Sequence, residues 1–452
     1  MSRAIFSHFI FLATLGASGV RAVELTCFAP QPWTQFVRID PSYPHHFVRD
    51  DGRHIFLFNK TAWHFFSANT PQISLDRAHA LGANVIRVAL EGKYYFEALG
   101  LDAWPWGGTR GKPDFTTFNE PYWNRVDERV RLAAAQGIGL NLTLFNALKL
   151  PDIPESFAIV RPYLERVISH LAKHPNIFCW EVHNEYVRNP GFQAKVGEFL
   201  KKNDPHHRPV ISSNGTTDYP LWPNAPWMDM ALIHHCTGSI PTFDLRDWYL
   251  AIARNLRVYG KPAFNNETGR ENRHKNDDPV HRRKQLWLAA AAGGYTTWHS
   301  WDGCEGIENA TYVAPGQEFA APYARWWSAQ QFWRIDPDFT AVQLPPDDPR
   351  RDELVPVALA SSSRELILAY LFTRTTGTTV PDGRLQLRLP DGDYRVEFFR
   401  PSDGTQVGKP TTHVSRGLRT QDPVALPPFA DDLALRITRI VTRDQTAIPD
   451  SH

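Results

Sequence analysis

Eight short apolar runs, separated by amphipathic stretches that open on a capping residue and close on glycine, constrain this chain more tightly than any other feature. The runs are HIFLFN (54–59), NVIRVAL (84–90), GLNLTLF (139–145), IFCWEVH (177–183), PVISS (209–213), MALIHH (230–235), PAFNN (262–266) and YTTWHS (295–300). Short and rich in β-branched and aromatic residues, they match strands buried on both faces. Between them, Ser74 is placed to cap LDRAHAL, which stops at Gly82. Asn119 is placed to cap a stretch ending at Gly137, with Glu120 in its first turn, and Asp244 to cap LRDWYLAIARNLRVY, which stops at Gly260. Side-chain oxygens satisfy the free amides of a first helical turn, and glycine accepts the left-handed residue that follows a last one. Each such unit feeds into the next apolar run. That rhythm predicts an α/β fold, a (β/α)8 TIM barrel. HFVRDDGRHIFLF (46–58) adds a hairpin with an Asp-Gly turn leading into the first strand.

After about Phe339 the rhythm changes. LPPDDPRRD (344–352) reads as a linker, and beyond it VPVALASS, LILAYLF, RLQLRLP, YRVEFFR and LALRITRI alternate in hydropathy between Asp-Gly pairs. This predicts a small C-terminal antiparallel β-sandwich. At the other end, MSRAIFSHFIFLATLGASGVRA has the basic start, apolar stretch and small residues of a secretory signal cleaved after Ala22. No later segment is apolar for long enough to span a bilayer. The expected organisation is therefore a signal peptide (1–22), a barrel with its hairpin (23–342), a linker (343–352) and the sandwich (353–452). The mature protein is expected to be secreted or periplasmic and off the membrane.

A formal net charge of +1 argues against nucleic acid as a partner. Cys27, Cys179, Cys236 and Cys304 assign no pairing, and oligomeric state stays open. N-x-S/T sequons at Asn59, Asn141, Asn214, Asn266 and Asn309 fall mostly within expected strands or beside the expected site, where a glycan does not fit. Fifteen tryptophans and fourteen tyrosines supply flat faces suited to sugar rings, though such residues also fill cores.

In this barrel the reacting groups sit where strands end. The fourth run ends in WEVHNEYV, placing Asn184 and Glu185 at the mouth, and the seventh ends in NNETG, placing Glu267 across from them. Two carboxylates brought together in this way can flank a glycosidic bond, about 5–5.5 Å apart in enzymes that retain anomeric configuration. Glu181 lies inside its run and reads as a structural acid.

With Asn-Glu on the fourth strand and glutamate on the seventh, the chain resembles clan A of the glycoside hydrolases. FLFNKTAWHFF and FNEPYWNRVDERVRLAAAQGI look most like the family-5-like and apiosidase-like secreted enzymes of bacteria. The resemblance covers roughly residues 43–340. It implies Glu185 as acid/base, Glu267 as nucleophile and Asn184 as the partner of the sugar 2-hydroxyl. It also implies Arg87 as the cation that orients the nucleophile, His235 near the site, and Trp298 or Trp301 beneath the sugar. The chain departs from family 5 on the sixth strand. There His-x-Tyr is usual and His234–His235–Cys236–Thr237 stands instead, so a tyrosine that hydrogen-bonds the nucleophile is missing.

A glutamate acting as an acid near neutral pH needs its pKa raised, and Trp180, Tyr186 and the facing carboxylate are candidates to raise that of Glu185. Trp63 and His64, after the first strand, are candidate substrate contacts. Glu91, Trp104, Trp106 and Asp302 occupy loops at the same end. Adjacent His234 and His235 point to opposite faces of a strand, and no H-x-H or H-E-x-x-H occurs, so no metal is expected. The chain thus reads as a retaining O-glycoside hydrolase that cleaves a poly- or oligosaccharide by double displacement, with no cofactor. The alternative is a barrel that binds carbohydrate without the chemistry.

Overall fold

The structure, a computed structural model, describes residues 31–92, 104–109, 112–215, 219–234, 244–269, 277–300, 311–418 and 423–440. The expected signal peptide lies outside them, as do Cys27, Cys236 and Cys304; no described helix is long and apolar enough to cross a membrane. Eight strands form one parallel sheet: Phe58–Thr61, Val85–Ala89, Gly139–Phe145, Ile177–His183, Val210–Ile211, Ala231–Ile233, Ala263–Thr268 and Gly294–Trp298. Each of the eight apolar runs overlaps one of them. The eighth strand pairs with the first, so the hydrogen-bonded order runs five, four, three, two, one, eight, seven, six. Between strands five and six, Asp229 supplies the link: its carboxylate accepts from the Val210 amide at 2.7 Å and its own amide donates to the Val210 carbonyl at 2.9 Å.

The helix stops fall where glycine placed them. Gly82, Gly137 and Gly260 adopt φ of 72°, 73° and 64°. Two caps also hold: Asn119 accepts from the Tyr122 amide, and Asp244 forms a reciprocal capping box with Asp247. Ser74 is a correction. The first helix spans Gln72–Leu81 and begins on Pro71, whose fixed φ suits a helix start, leaving Ser74 buried inside it. The stretch after Asp244 is not one regular helix either. It runs as α-helix Leu245–Leu250, π-helix Ala251–Leu256 and a 3-10 turn Arg257–Tyr259.

The expected hairpin joins strands Phe47–Arg49 and His54–Ile55 through a turn with Gly52 at φ 81°, and Val37–Ile39 adds a third strand. Phe47 packs edge-on to Phe178 and Tyr295, near the starts of barrel strands four and eight. The hairpin therefore covers the end of the barrel opposite the mouth.

The C-terminal segment is antiparallel throughout. A six-stranded sheet orders Asp336–Pro337, Leu354–Ala360, Leu366–Thr373, Asp432–Arg439, Gly392–Phe399 and Gln406–Ser415. The ten-residue edge strand Gln406–Ser415 was not singled out in the sequence; it is mostly exposed and so carries little hydropathy signal. One face of this sheet shares the barrel's apolar core through Leu359, Leu368, Tyr370 and Ala434. The other face forms a second core with the strands Val342–Gln343, Arg384–Leu387 and Pro423–Ala425. The first face rests on helix Pro279–Ala291. There Trp287 stacks on Tyr370 at 5.6 Å, and Arg283 pairs with buried Asp432 at 2.7 Å.

Candidate active site

Alternation along parallel strands brings the polar residues together. Arg87, Asn141 and Cys179 are in register across strands two to four, as are Thr143 and Glu181 one pleat further on. Side chains on one face recur every second residue, so this row faces the barrel interior. Strand seven breaks the alternation. Between Asn265 and Thr268 its register against strand eight slips, and Asn266 and Glu267, though adjacent, both reach the same interior network. Bulges commonly re-aim a side chain in this way beside a reaction site.

Arg87 lies at the centre and is fully buried. Its Nε donates to Glu181 Oε2 at 2.8 Å and its Nη2 to Oε1 at 2.6 Å, a two-pronged pairing. The same Nη2 reaches Asn184 Oδ1 at 2.8 Å, and Nη1 reaches Glu267 Oε1 at 2.9 Å. Glu181 also accepts from Thr143 at 2.8 Å and Asn266 at 3.2 Å. Burial raises the Glu181 pKa, but the guanidinium overrides it and holds the group below the ordinary carboxylate value. Removing one partner of such a buried pair costs about 3–5 kcal/mol.

Glu185 stands at φ 49°, in the left-handed region that costs a non-glycine residue roughly 1–2 kcal/mol. Its neighbours hold the turn. The Asn184 amide donates to the Phe145 carbonyl, His183 Nδ1 bonds the Asn184 carbonyl, and the Glu185 amide donates to Ser213 Oγ at 3.3 Å. Strain of this kind persists where the surroundings over-determine it, and it clusters at functional sites.

His234 lies between the two glutamates. Its Nδ1 is 3.1 Å from Glu185 Oε1 and its Nε2 is 2.9 Å from Glu267 Oε1. A carboxylate oxygen of each glutamate and a nitrogen of His234 all lie within 4.8 Å of one another. Burial lowers the His234 pKa, but the two glutamates raise it to about 10. Glu267 is driven the other way: burial raises its pKa, while His234, His299 and Arg87 together hold it well below the ordinary value. Among the described residues Glu185, His234 and Glu267 form the one grouping close enough to enclose a metal ion. However, His234 Nδ1 is engaged by the Asn214 carbonyl at 2.8 Å and Nε2 by Glu267, which leaves no ring lone pair for one.

The structure thus brings Glu185, Glu267, Asn184 and Arg87 into one cluster at the mouth. Trp63 is buried, with the Arg87 guanidinium 4.4 Å from its ring centre, and His64 is buried beside it in sequence. Trp298 is buried too, and the Arg282 guanidinium sits 3.9 Å from its ring centre. His235, Trp301 and Asp302 lie outside the described residues. Trp106 packs among Phe115 and Tyr163, and Glu91 accepts from the amides of Asn146, Ala147 and Leu148. Trp180 does not wall Glu185: its indole donates to Asp204 at 2.8 Å, while the Tyr186 ring packs tilted against His183. The Glu185 side chain is 41% exposed. Four sequon asparagines, Asn59, Asn141, Asn214 and Asn266, are buried, and Asn309 lies outside the described residues.

His234 is the residue that sequence reasoning passed over in favour of its neighbour. Strand register carries the missing signal. Leu232 pairs with Phe264, so His234 falls level with Asn266 on the interior face.

A model of the apiosidase-like catalytic domain matches residues 43–331. No curated protein matches the chain in sequence. Among solved structures, the chain is similar to a Bacteroides vulgatus ATCC 8482 protein named provisionally as a glycoside hydrolase. The TM-score is 0.67 at 16% identity, covering 90% of this chain and 82% of that one. It is also similar to a family 5 glycoside hydrolase of that organism, with TM-score 0.62 at 14% identity, covering 94% and 99%. An endo-1,4-beta-mannanase from Rhizomucor miehei aligns at TM-score 0.51 and 15% identity over 65% of this chain and all of that one. At these identities the structural likeness shows the fold.

Proposed function

The chain belongs to the apiosidase-like catalytic-domain family, and on that premise we propose that it is an exported, retaining O-glycoside hydrolase. The observation that carries the reading is the convergence of Glu185 and Glu267, from strands four and seven, to within 4.8 Å at their nearest oxygens. This spacing fits a nucleophile and an acid on one glycosidic bond; an inverting pair stands about 6.5–9.5 Å apart to admit a water.

Glu267, held ionised by Arg87 and His234, attacks the anomeric carbon while Glu185 protonates the departing oxygen. The alcohol leaves, and the sugar stays as an ester on Glu267. Glu185, now a carboxylate, takes a proton from water. The resulting hydroxide equivalent attacks the same carbon and frees Glu267, so configuration is retained. Glu185 is half-open to solvent in the free protein, and a bound sugar would complete its desolvation, which favours the neutral acid. Asn184 uses its Oδ1 on Arg87 and one amide hydrogen on Asn146 at 3.1 Å, leaving a second hydrogen for a sugar hydroxyl. The strain at Glu185 argues against a barrel that only binds sugar, since such a barrel gains nothing from holding an acid in the left-handed region. The substrate class to try first is the one in the family's name, apiosides, within poly- or oligosaccharides.

Turnover of a panel of 4-nitrophenyl glycosides that includes the apioside tests the assignment. Glu267→Gln is expected to lose activity by about 10⁴ or more. Glu267→Gly with added azide is expected to release the glycosyl azide of inverted configuration. Ordinary turnover by the glutamine variant would overturn the reading.

A further inference from the structure

The missing strand-six tyrosine leaves open which group serves Glu267 in its place, and the contacts of His234 answer it. His234 Nδ1 lies 2.8 Å from the Asn214 carbonyl, a group that only accepts, so Nδ1 carries hydrogen. Nε2 faces Glu267 Oε1 at 2.9 Å. One hydrogen must lie between those two atoms. Arg87 Nη1 donates to the same Oε1 at 2.9 Å, which favours the carboxylate as anion and leaves the hydrogen on Nε2. With both nitrogens protonated, the ring is an imidazolium.

The surrounding carboxylates favour such a cation. Arg87 is matched by Glu181 through two hydrogen bonds, and that buried pair is neutral as a unit. Of the two histidines beside Glu267, His234 is the nearer at 2.9 Å, with His299 Nδ1 at 3.9 Å. On its other side His234 faces Glu185 at 3.1 Å; Arg87 Nη1, 3.5 Å from its Nε2, opposes the ring charge, but Arg87 is itself paired with Glu181.

We propose that His234 is the positioning cation of the site, one that balances Glu267 in the free protein and Glu185 once Glu267 carries the sugar. This rests on the glycosidase reading above. Before the first step the trio comprises imidazolium, Glu267 carboxylate and neutral Glu185, with net charge zero. In that step the Glu185 proton leaves with the alcohol, and the Glu267 electron pair becomes the bond to the anomeric carbon. The trio is then imidazolium, ester and Glu185 carboxylate, again net zero. Neither step strands a charge at the site, and each ring nitrogen already lies within 3.1 Å of the carboxylate it serves. A tyrosine hydroxyl could hydrogen-bond the nucleophile but could not carry this charge across to the acid.

The test reads the ring itself. Long-range ¹H–¹⁵N correlation spectra of the full-length labelled chain, with His234 assigned by its loss in His234→Gln, report the protonation of each nitrogen. In the unmodified protein both nitrogens should be protonated from about pH 6 to about pH 9. Glu267→Gln stands in for the neutral ester: there His234 should still be charged at about pH 7, held by Glu185. In the Glu185→Gln/Glu267→Gln double variant burial should prevail and the ring should be neutral at that pH. A neutral ring in the unmodified protein would overturn the proposal, as would a Glu267→Gln variant already neutral at about pH 7. These titrations need no substrate. Failure of every glycoside in the panel, with His234 titrating as described, would therefore count against the glycosidase reading alone.

Discussion

Arg87 meets two carboxylates with one guanidinium and divides itself unequally between them, with two hydrogen bonds to Glu181 and one to Glu267. Glu181→Gln removes the larger share. It is expected to destabilise the fold by about 3–5 kcal/mol, because a buried cation loses its principal partner. Thermal or denaturant unfolding reads the loss; a change below about 1 kcal/mol would contradict the pairing. The pH dependence follows from the same contacts. Glu181 and Glu267 are held below the ordinary carboxylate value of 4.5, so their contribution is full above it and fades as pH falls through the lowered values. His234 runs the opposite way. Raised from 6.5 to about 10, it contributes fully below 6.5 and loses that contribution as pH rises through about 10. The Tm gap between the unmodified protein and His234→Gln should accordingly narrow from pH 6.5 toward about 10. A gap that widened over that range would contradict a charged ring.

Strand and helix elements were legible where local chemistry decides them. Apolar runs marked all eight strands, and glycines marked helix ends because only they take the left-handed residue without penalty. Gly82 shows how much depends on one such position. At φ 72°, its added Cβ would also lie 2.9 Å from Ala324 Cβ and 3.3 Å from Ala321 Cα on the neighbouring helix. Gly82→Ala is expected to cost at least the roughly 1–2 kcal/mol of the left-handed penalty. Asn119→Ala should cost about 1 kcal/mol through the lost cap. Urea unfolding measures both, and a neutral Gly82→Ala would contradict the left-handed penalty at this position. What the sequence concealed depended on neighbours. Whether His234 or His235 enters the barrel depends on register against strand seven. Which face of strand four carries Trp180 depends on its contact with Asp204, and a bulge lets both Asn266 and Glu267 face inward. Each of these is a relation between strands that no single run contains.

Across the whole molecule, the C-terminal sheet and the barrel share one apolar core, and the buried Arg283–Asp432 pair and the Trp287–Tyr370 stack join them. Lys284 adds a hydrogen bond from its Nζ to the Thr373 carbonyl at 2.8 Å. Helix Pro279–Ala291 thus follows the strand bearing Glu267 and also anchors the sheet, so the brace and the nucleophile share one stretch of chain. Unfolding should be a single cooperative transition, lowered by about 3–5 kcal/mol in Asp432→Ala. Two separated transitions in calorimetry would show that the halves stand independently. The central claim is that acidic groups from two distant strands work on one sugar linkage through a covalent ester. It is tested most directly by intact mass and peptide mapping after incubation with an activated 2-deoxy-2-fluoro glycoside of the sugar that the protein cleaves. The account predicts one added glycosyl group, on the peptide carrying Glu267, and none in Glu267→Gln. Attachment at Glu185, or release of inverted sugar with no adduct, would contradict it.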